Sequence, residues 1–280
     1  MIRVVVAGAA GRMGNLVVPA LAQAEGLELA GTLVRGSDAV AIFELCRPDV
    51  LVDFTIAESS RELGLVAAER GICPVIGTSG LTPADISALR EACRHGGVGG
   101  LVVPNFSIGA VLQMRFAEQA AARLPCTGIH ETHHPGKKDS PSGTALATAR
   151  RIEGASGALP PIESQRKEGL VALQEVDFAQ PGERLALVHE VTDRRAYLPG
   201  VLLAVRAVRG LRELVVGARR AAGVIRQDRL RERRRSAPTR GYNPRAARVA
   251  EPADAADSKS AASHEAWGFE SPLWHHGDGE

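Results

Sequence analysis

The run Ile2-Arg3-Val4-Val5-Val6-Ala7, followed at once by Gly8-Ala9-Ala10-Gly11-Arg12-Met13-Gly14, restricts the fold of this chain more than any other stretch. A short apolar, β-branched run is the pattern of a strand buried on both faces. Glycines at 8, 11 and 14 supply a tight turn, and residues 15–24 read as a helix. Residues 27–34 read as a second strand, so strand, turn, helix and strand follow in the order of a dinucleotide-binding unit. In such a unit the turn lets a pyrophosphate reach the free N–H groups of a helix N-terminus. The spacing here is G-x-x-G-x-x-G rather than the usual G-x-G-x-x-G. A unit built for NAD places an acid at the tip of the second strand for the ribose hydroxyls. Leu33-Val34-Arg35-Gly36 has none there, and Asp38 comes later. Arg35 suits a 2′-phosphate instead, which leans the reading toward NADPH.

The alternation continues down the chain. Residues 49–55 read as a buried strand, 58–70 as a helix, and Cys73-Pro74-Val75-Ile76 as a strand entering the turn Gly77-Thr78-Ser79-Gly80. Residues 83–95 read as a helix and 101–106 as the next strand end. Strands and helices alternating at this length predict a right-handed, doubly wound parallel sheet. Ligands of such sheets sit beyond the carboxyl ends of the strands. That rule gathers residues 8–13, 77–80 and 104–106 on one rim, with Asn105 as a carboxamide recogniser and Phe106 as an aromatic wall for a nicotinamide ring. A chain of 280 residues suits two modest domains or one large one. Its net charge of +2 predicts no strong steering of the folded core toward nucleic acid or membrane. Cys46, Cys73, Cys93 and Cys126 form no C-x-x-C pair, which argues against a zinc ribbon or a disulfide framework. No apolar run approaches the roughly 18 residues of a membrane span, and no leader pattern precedes the first strand. The expected compartment is a reducing cytoplasm.

A second concentration of chemistry is His130-Glu131-Thr132-His133-His134-Pro135-Gly136-Lys137-Lys138-Asp139-Ser140-Pro141-Ser142-Gly143-Thr144-Ala145. Its histidines titrate near neutrality when unperturbed, and Lys137 can donate a proton or hold a carboxylate. Ser142-Gly143-Thr144 opens a helix read over 145–151, whose first N–H groups can meet a negative charge. The combination describes a pocket for a small, multiply anionic substrate that is protonated during reaction. Zinc held by His130, His133 and His134 is the competing reading. The segment reads as a strand running into a loop, where residues i and i+4 do not converge, and two lysines follow, so no metal is expected. Asp139 is expected to orient a neighbouring group or cap the helix.

With the glycine turn, Gly77-Thr78-Ser79-Gly80, Pro104-Asn105-Phe106-Ser107-Ile108-Gly109 and the histidine segment in this order, residues 1–217 resemble the 4-hydroxy-tetrahydrodipicolinate reductases, formerly dihydrodipicolinate reductases. The family signature E-x-x-H-H-x-x-K-x-D-[AS]-P-S-G-T-A is close to residues 131–145, with one residue between Glu131 and His133. The resemblance implies hydride transfer from NADH or NADPH to a dicarboxylate cyclic imine derived from aspartate semialdehyde and pyruvate, in the diaminopimelate and lysine pathway. It implies His133 as proton donor or acceptor and Lys137 as proton donor, with His134, Gly143 and Thr144 binding the dicarboxylate. Gly8, Ala9, Ala10, Gly11, Arg12, Met13, Gly77, Thr78, Ser79, Val103, Pro104, Asn105 and Phe106 are implied to line the cofactor site. Arg35 falls where the adenosine ribose or its phosphate is held. The implied fold is α/β: a Rossmann-like doubly wound parallel sheet with an inserted α+β substrate and oligomerisation domain. Residues 1–104 and 196–217 would form the dinucleotide-binding domain and 105–195 the inserted one, in a homotetramer. Hydride arriving at a ring carbon conjugated to an imine leaves electron density that a proton must meet, and Lys137 beside His133 suits that need. Two alternatives stay open: another semialdehyde or homoserine-type dehydrogenase, which would not need the paired histidines and Lys137, and a catalytically impaired, frameshifted family member.

Beyond the signature, residues 154–161 read as a linker, 169–178 and 185–190 as strands joined by Gln180-Pro181-Gly182-Glu183, and 197–208 as a last helix. His189, alone on its strand, reads as structural. The family carries a longer insert with a further strand after Pro161, so the seven residues 162–168 leave one edge of the second sheet short. Residues 219–235 hold eight arginines, and the tail 218–280 is basic and low in complexity. It reads as disordered, as a nucleic-acid arm, or as a frame that slipped near Gly217. The near-palindromic peptide of 255–262, and Gly268-Phe269-Glu270-Ser271, whose codons can match a transfer-RNA T-arm, favour the last.

Overall fold

The computed structural model describes residues 1–137 and 139–217. Along the chain, β1 (Ile2–Ala7), α1 (Gly14–Gln23), β2 (Leu27–Leu33), α2 (Ala39–Cys46), β3 (Val50–Asp53), α3 (Ala57–Glu69), β4 (Cys73–Ile76), α4 (Pro83–His95) and β5 (Gly100–Val102) alternate. Then come α5 (Ile108–Ala121), β6 (Cys126–His133), α6 (Gly143–Ser156), β7 (Ile162–Arg166), β8 (Ala172–Gln180) and β9 (Glu183–Val191). A 3₁₀ turn (Arg194–Tyr197), α7 (Leu198–Val208) and β10 (Leu214–Val216) follow.

Six strands pair in parallel in the order β10-β5-β4-β3-β1-β2. Side chains of a strand alternate between faces, and here both faces are covered. Val4 and Val6 pack with Val17 and Leu21 of α1 and Val201 and Val205 of α7. Val5 and Leu51 pack on the opposite face with Phe43 of α2 and Ala67 of α3, and Ile76 packs with Leu89 and Cys93 of α4. That double cover is why β3, β4 and β5 are buried along their whole length. The strand order reverses at β1, whose neighbours β2 and β3 are each reached through a helix. The crevice beyond the carboxyl ends of β1 and β3 is therefore the topological switch point.

A second sheet runs β7-β6-β8-β9, with β7 parallel and β8 antiparallel to β6. One of its faces carries Ile129, Val176 and Phe178 against Ala117 of α5 and Ala149 and Ile152 of α6. The chain then returns to the first sheet, where β10 pairs with β5.

Residues 39–46 and 108–121 are helices and 214–216 is a strand, in stretches for which the sequence suggests no element. Other expectations are corrected. Helix α6 extends past 145–151 at both ends. Ser142 caps its start by accepting the Ala145 N–H, and Gly157, at φ +78°, ends it, so residues 154–156 are helical rather than linker. Residues 162–166 are themselves the edge strand β7, in register from Ile129 opposite Ile162 to His133 opposite Arg166. The polar sequence IESQR hid a strand whose alternate residues are half-buried. The readings of the 218–280 tail concern residues outside the described ones.

Candidate active site

At the end of β1, Gly8 adopts φ +75°, and a Cβ there would stand 2.7 Å from the Phe54 carbonyl oxygen. Only glycine meets both conditions. The Gly11 N–H donates to the Gly8 carbonyl at 2.9 Å, closing the turn, and a Cβ on Gly14 would land on that same carbonyl. Helix α1 starts there without a side-chain cap, leaving its first turn open to an anion. Arg12 and Met13 line the adjoining cavity. A turn with no room for side chains, an uncapped helix start and an arginine at its edge fit a dinucleotide's diphosphate. Arg35 lies exposed just past β2 and does not line the cavity. Asp38, a weak candidate for ribose, caps α2 by accepting the Ala41 N–H at 3.1 Å.

Gly77 and Ser79 line the cavity, whereas Thr78 turns away and donates to Asp53 Oδ2 at 3.2 Å. Val103 is buried in the core, and Pro104, Asn105 and Phe106 reach the cavity. Phe106 stacks at a tilt on Phe54, with ring centroids 5.5 Å apart. The Asn105 amide is engaged within the protein on both sides: Oδ1 accepts the Ser107 N–H at 2.8 Å, and Nδ2 donates to Thr144 Oγ1 at 3.1 Å.

The opposite wall comes from β6 and the loop after it. Glu131 and His133 are two residues apart on one strand and so share a face. Glu131 Oε2 lies 3.3 Å from His133 Nδ1, and neither atom has a hydrogen bond among the described residues. Glu131 is 1% exposed. Its other oxygen accepts the Ser142 N–H at 2.9 Å and the Ser164 hydroxyl at 2.7 Å. Burial opposes its ionisation, but these hydrogen bonds and His133 outweigh it and lower its pKa. Burial lowers the pKa of His133, with Lys137 and Arg166 adding to the effect and Glu131 opposing it. His134 is lowered by burial and then by Arg194 and Arg12. Lys137 Nζ donates to Asp139 Oδ1 at 2.8 Å, so Asp139 orients the lysine. Burial is the largest single influence on Asp139 and raises its pKa, but the hydrogen bond and charge of Lys137 together with backbone N–H donors outweigh it, and the net shift is downward. Arg166 of β7 ties this loop down by donating to the carbonyls of Asp139, at 2.6 Å, and of Lys137, at 3.4 Å.

One cavity of about 500 Å³ joins the two walls, bringing Arg12, Met13 and Phe106 together with His133, His134, Lys137 and Thr144. Gly143 opens α6 next to Thr144 without lining it. Sequence reasoning missed Glu131, Gln174 and Arg194 and read His189 as structural; Gln174, His189 and Arg194 line the cavity. The two-residue spacing of Glu131 and His133 was a usable signal. Gln174 and His189 had none, because their adjacency to the site arises from cross-strand register. Among the described residues, no helix is long and apolar enough to cross a membrane.

A doubly wound sheet with a dinucleotide turn at its switch point, facing a wall of His133, His134 and Lys137 carried by a second sheet, defines an NAD(P)H-dependent oxidoreductase. The chain matches the family model described as "Dihydrodipicolinate reductase, N-terminus" over residues 2–106 and the "Dihydrodipicolinate reductase, C-terminus" model over 109–220. It belongs to the dihydrodipicolinate reductase family. It is 39% identical over 256 residues to the 4-hydroxy-tetrahydrodipicolinate reductase of Moorella thermoacetica, covering 77% of this chain and 96% of that one. It is 41% identical over 243 residues to the Beutenbergia cavernae enzyme of the same name, covering 77% and 96%. Among solved structures, a dipicolinate-bound dihydrodipicolinate reductase from Paenisporosarcina sp. TG-14 superposes with a TM-score of 0.71 at 29% identity, covering 78% of this chain and 98% of that one.

Proposed function

We propose that this chain reduces 4-hydroxy-tetrahydrodipicolinate to tetrahydrodipicolinate with NADPH or NADH, in diaminopimelate and lysine synthesis. The observation that carries the reading is the single cavity shared by the dinucleotide turn and by His133, Lys137 and Thr144. The bound dinucleotide supplies a hydride, and the net change also consumes one proton and releases water from the hydroxylated ring carbon. Lys137, oriented by Asp139, and His133, coupled to Glu131, manage the protons at the reacting imine. Thr144, Gly143 and His134 hold the ring's carboxylates, joined by the Arg194 guanidinium at the same cavity. Gly8, Ala9, Ala10, Gly11, Arg12 and Met13 receive the diphosphate, and Arg35 the adenosine ribose or its phosphate. Gly77, Thr78, Ser79, Val103, Pro104, Asn105 and Phe106 shape the nicotinamide end, some by direct contact and some by holding the rim. Residues 1–104 and 196–217 act as the dinucleotide-binding domain, and 105–195 as the substrate and oligomerisation domain of a homotetramer. The exposed apolar Leu185 and Val188 on β9 support that assembly. The four free thiols suit a reducing cytoplasm.

The test is a coupled assay in which the substrate is made freshly by a synthase, with NADH and NADPH run in parallel. Dinucleotide oxidation that depends on the synthase product is expected, and its absence with both cofactors would reject the assignment.

A further inference from the structure

A chain of hydrogen bonds enters the substrate wall from the opposite side of the cavity. Ser107 caps α5 by accepting the Ala110 N–H at 3.2 Å, and its hydroxyl lies 3.1 Å from His189 Nε2 on β9. The His189 ring is packed so closely on Gly109 that a Cβ there would stand 2.5 Å from it. Ser107 is therefore a fixed point, 2% exposed. Its backbone N–H can only donate, so the Asn105 atom facing it must be the amide oxygen. The nitrogen of Asn105 must then face Thr144, to whose hydroxyl oxygen it donates at 3.1 Å. A threonine hydroxyl that accepts from a neighbour keeps its own proton to give elsewhere. Thr144 lines the cavity at the start of α6, so that proton is within reach of an acceptor bound there.

We propose that Asn105 is a positioning residue for the substrate rather than a reader of the cofactor's carboxamide: it fixes the Thr144 hydroxyl as a donor to a ligand carboxylate. The inference rests on the reading that Thr144 holds a substrate carboxylate. It accounts for an amide on the dinucleotide rim that spends both of its polar atoms inside the protein. The hydroxyl it orients lies on the other wall, so the two halves of the site are coupled through one side chain.

The experiment is a double-mutant cycle on the full-length enzyme loaded with NADH, using pyridine-2,6-dicarboxylate as a stable dicarboxylate probe alongside substrate KM. Asn105→Ala is expected to weaken probe binding and raise substrate KM about tenfold, the scale of one charge-assisted hydrogen bond, with NADH affinity changed less than twofold. In the Thr144→Val background the same change should add less than twofold. Asn105→Ser, which keeps a short acceptor for the Ser107 N–H but cannot reach Thr144, should behave like Asn105→Ala and guards against a folding defect in the alanine variant. Additive losses in the cycle, or a loss of NADH affinity as large as that of the probe, would overturn the positioning role alone. Unchanged probe affinity in Thr144→Val would overturn the reading of Thr144 on which it rests.

Discussion

Glu131 Oε2 stands 3.3 Å from His133 Nδ1, a buried carboxylate behind a histidine that borders the cavity. The other oxygen of Glu131 is held by Ser142 and Ser164, so the carboxylate cannot swing away from the ring. Burial, Lys137 and Arg166 all lower the proton affinity of His133, and Glu131 is the largest influence raising it. Glu131→Gln removes that influence while keeping the shape. The His133 imidazole should then titrate at lower pH than in the parent enzyme, as read by NMR of the labelled ring. Turnover should fall on the order of a hundredfold, the lower end of what a positioned acid or base contributes. An unchanged or raised titration midpoint would contradict the coupling.

Lys137→Met removes the ammonium that Asp139 orients at 2.8 Å. Turnover should drop by roughly 10²- to 10⁴-fold, the range for loss of a proton donor, while NADH binding followed by fluorescence stays within about twofold. A parallel loss of cofactor affinity would place Lys137 on the dinucleotide instead.

Gly8→Ala puts a Cβ on a residue at φ +75° and 2.7 Å from the Phe54 carbonyl oxygen. Backbone strain of this kind costs about 1–3 kcal/mol, so the urea midpoint should fall and cofactor affinity should fall with it. Stability equal to the parent enzyme would show that the turn relaxes freely.

Arg35→Ala tests the cofactor lean. If Arg35 at the tip of β2 meets a 2′-phosphate, the KM for NADPH should rise about tenfold, or 1.4 kcal/mol, with that for NADH nearly unchanged. Equal effects on both would remove Arg35 from any role in discrimination.

Acid should destabilise the fold in two stages. His133, His134 and His189 all bind protons less readily than their ordinary 6.5, burial being the largest cause for each. The unfolded chain therefore takes up protons near pH 6.5 that the folded one refuses. Their contribution is present above about pH 6.5 and is lost as pH falls toward the folded values. Glu131 and Asp139 are lowered from 4.5 and 3.8, so their contribution is present above those values and is lost as pH falls through the lower folded ones. Urea midpoints should be level between pH 8 and 7, then decline from pH 6.5 to 5.5. A midpoint that rises over that last interval would reverse the sign.

The first sheet was legible because its signals are local. Val4, Val5 and Val6 in succession can only be a strand covered on both faces, and the glycines at 8, 11 and 14 mark its turn. Strand β7 escaped because Ile162-Glu163-Ser164-Gln165-Arg166 is apolar at one position only, and its pairing with β6 is decided by the partner strand. Helix α5 escaped because its motif end, Pro104 to Gly109, drew the reading toward the rim.

By itself the sequence determined the residue types of the site and their order: a dinucleotide turn, a rim at Asn105 and Phe106, and a wall with His133, Lys137 and Thr144. Those choices are written in spacing and backbone preference, which act over a few residues. Tertiary structure alone decided which atoms face which. Asn105 turns to Thr144, 39 residues away, and Ser107 to His189, 82 residues away. Glu131 is pinned by Ser164 across a strand pair. Hydrogen-bond direction and burial depend on what a side chain meets after the sheets pack, and no local pattern encodes that meeting.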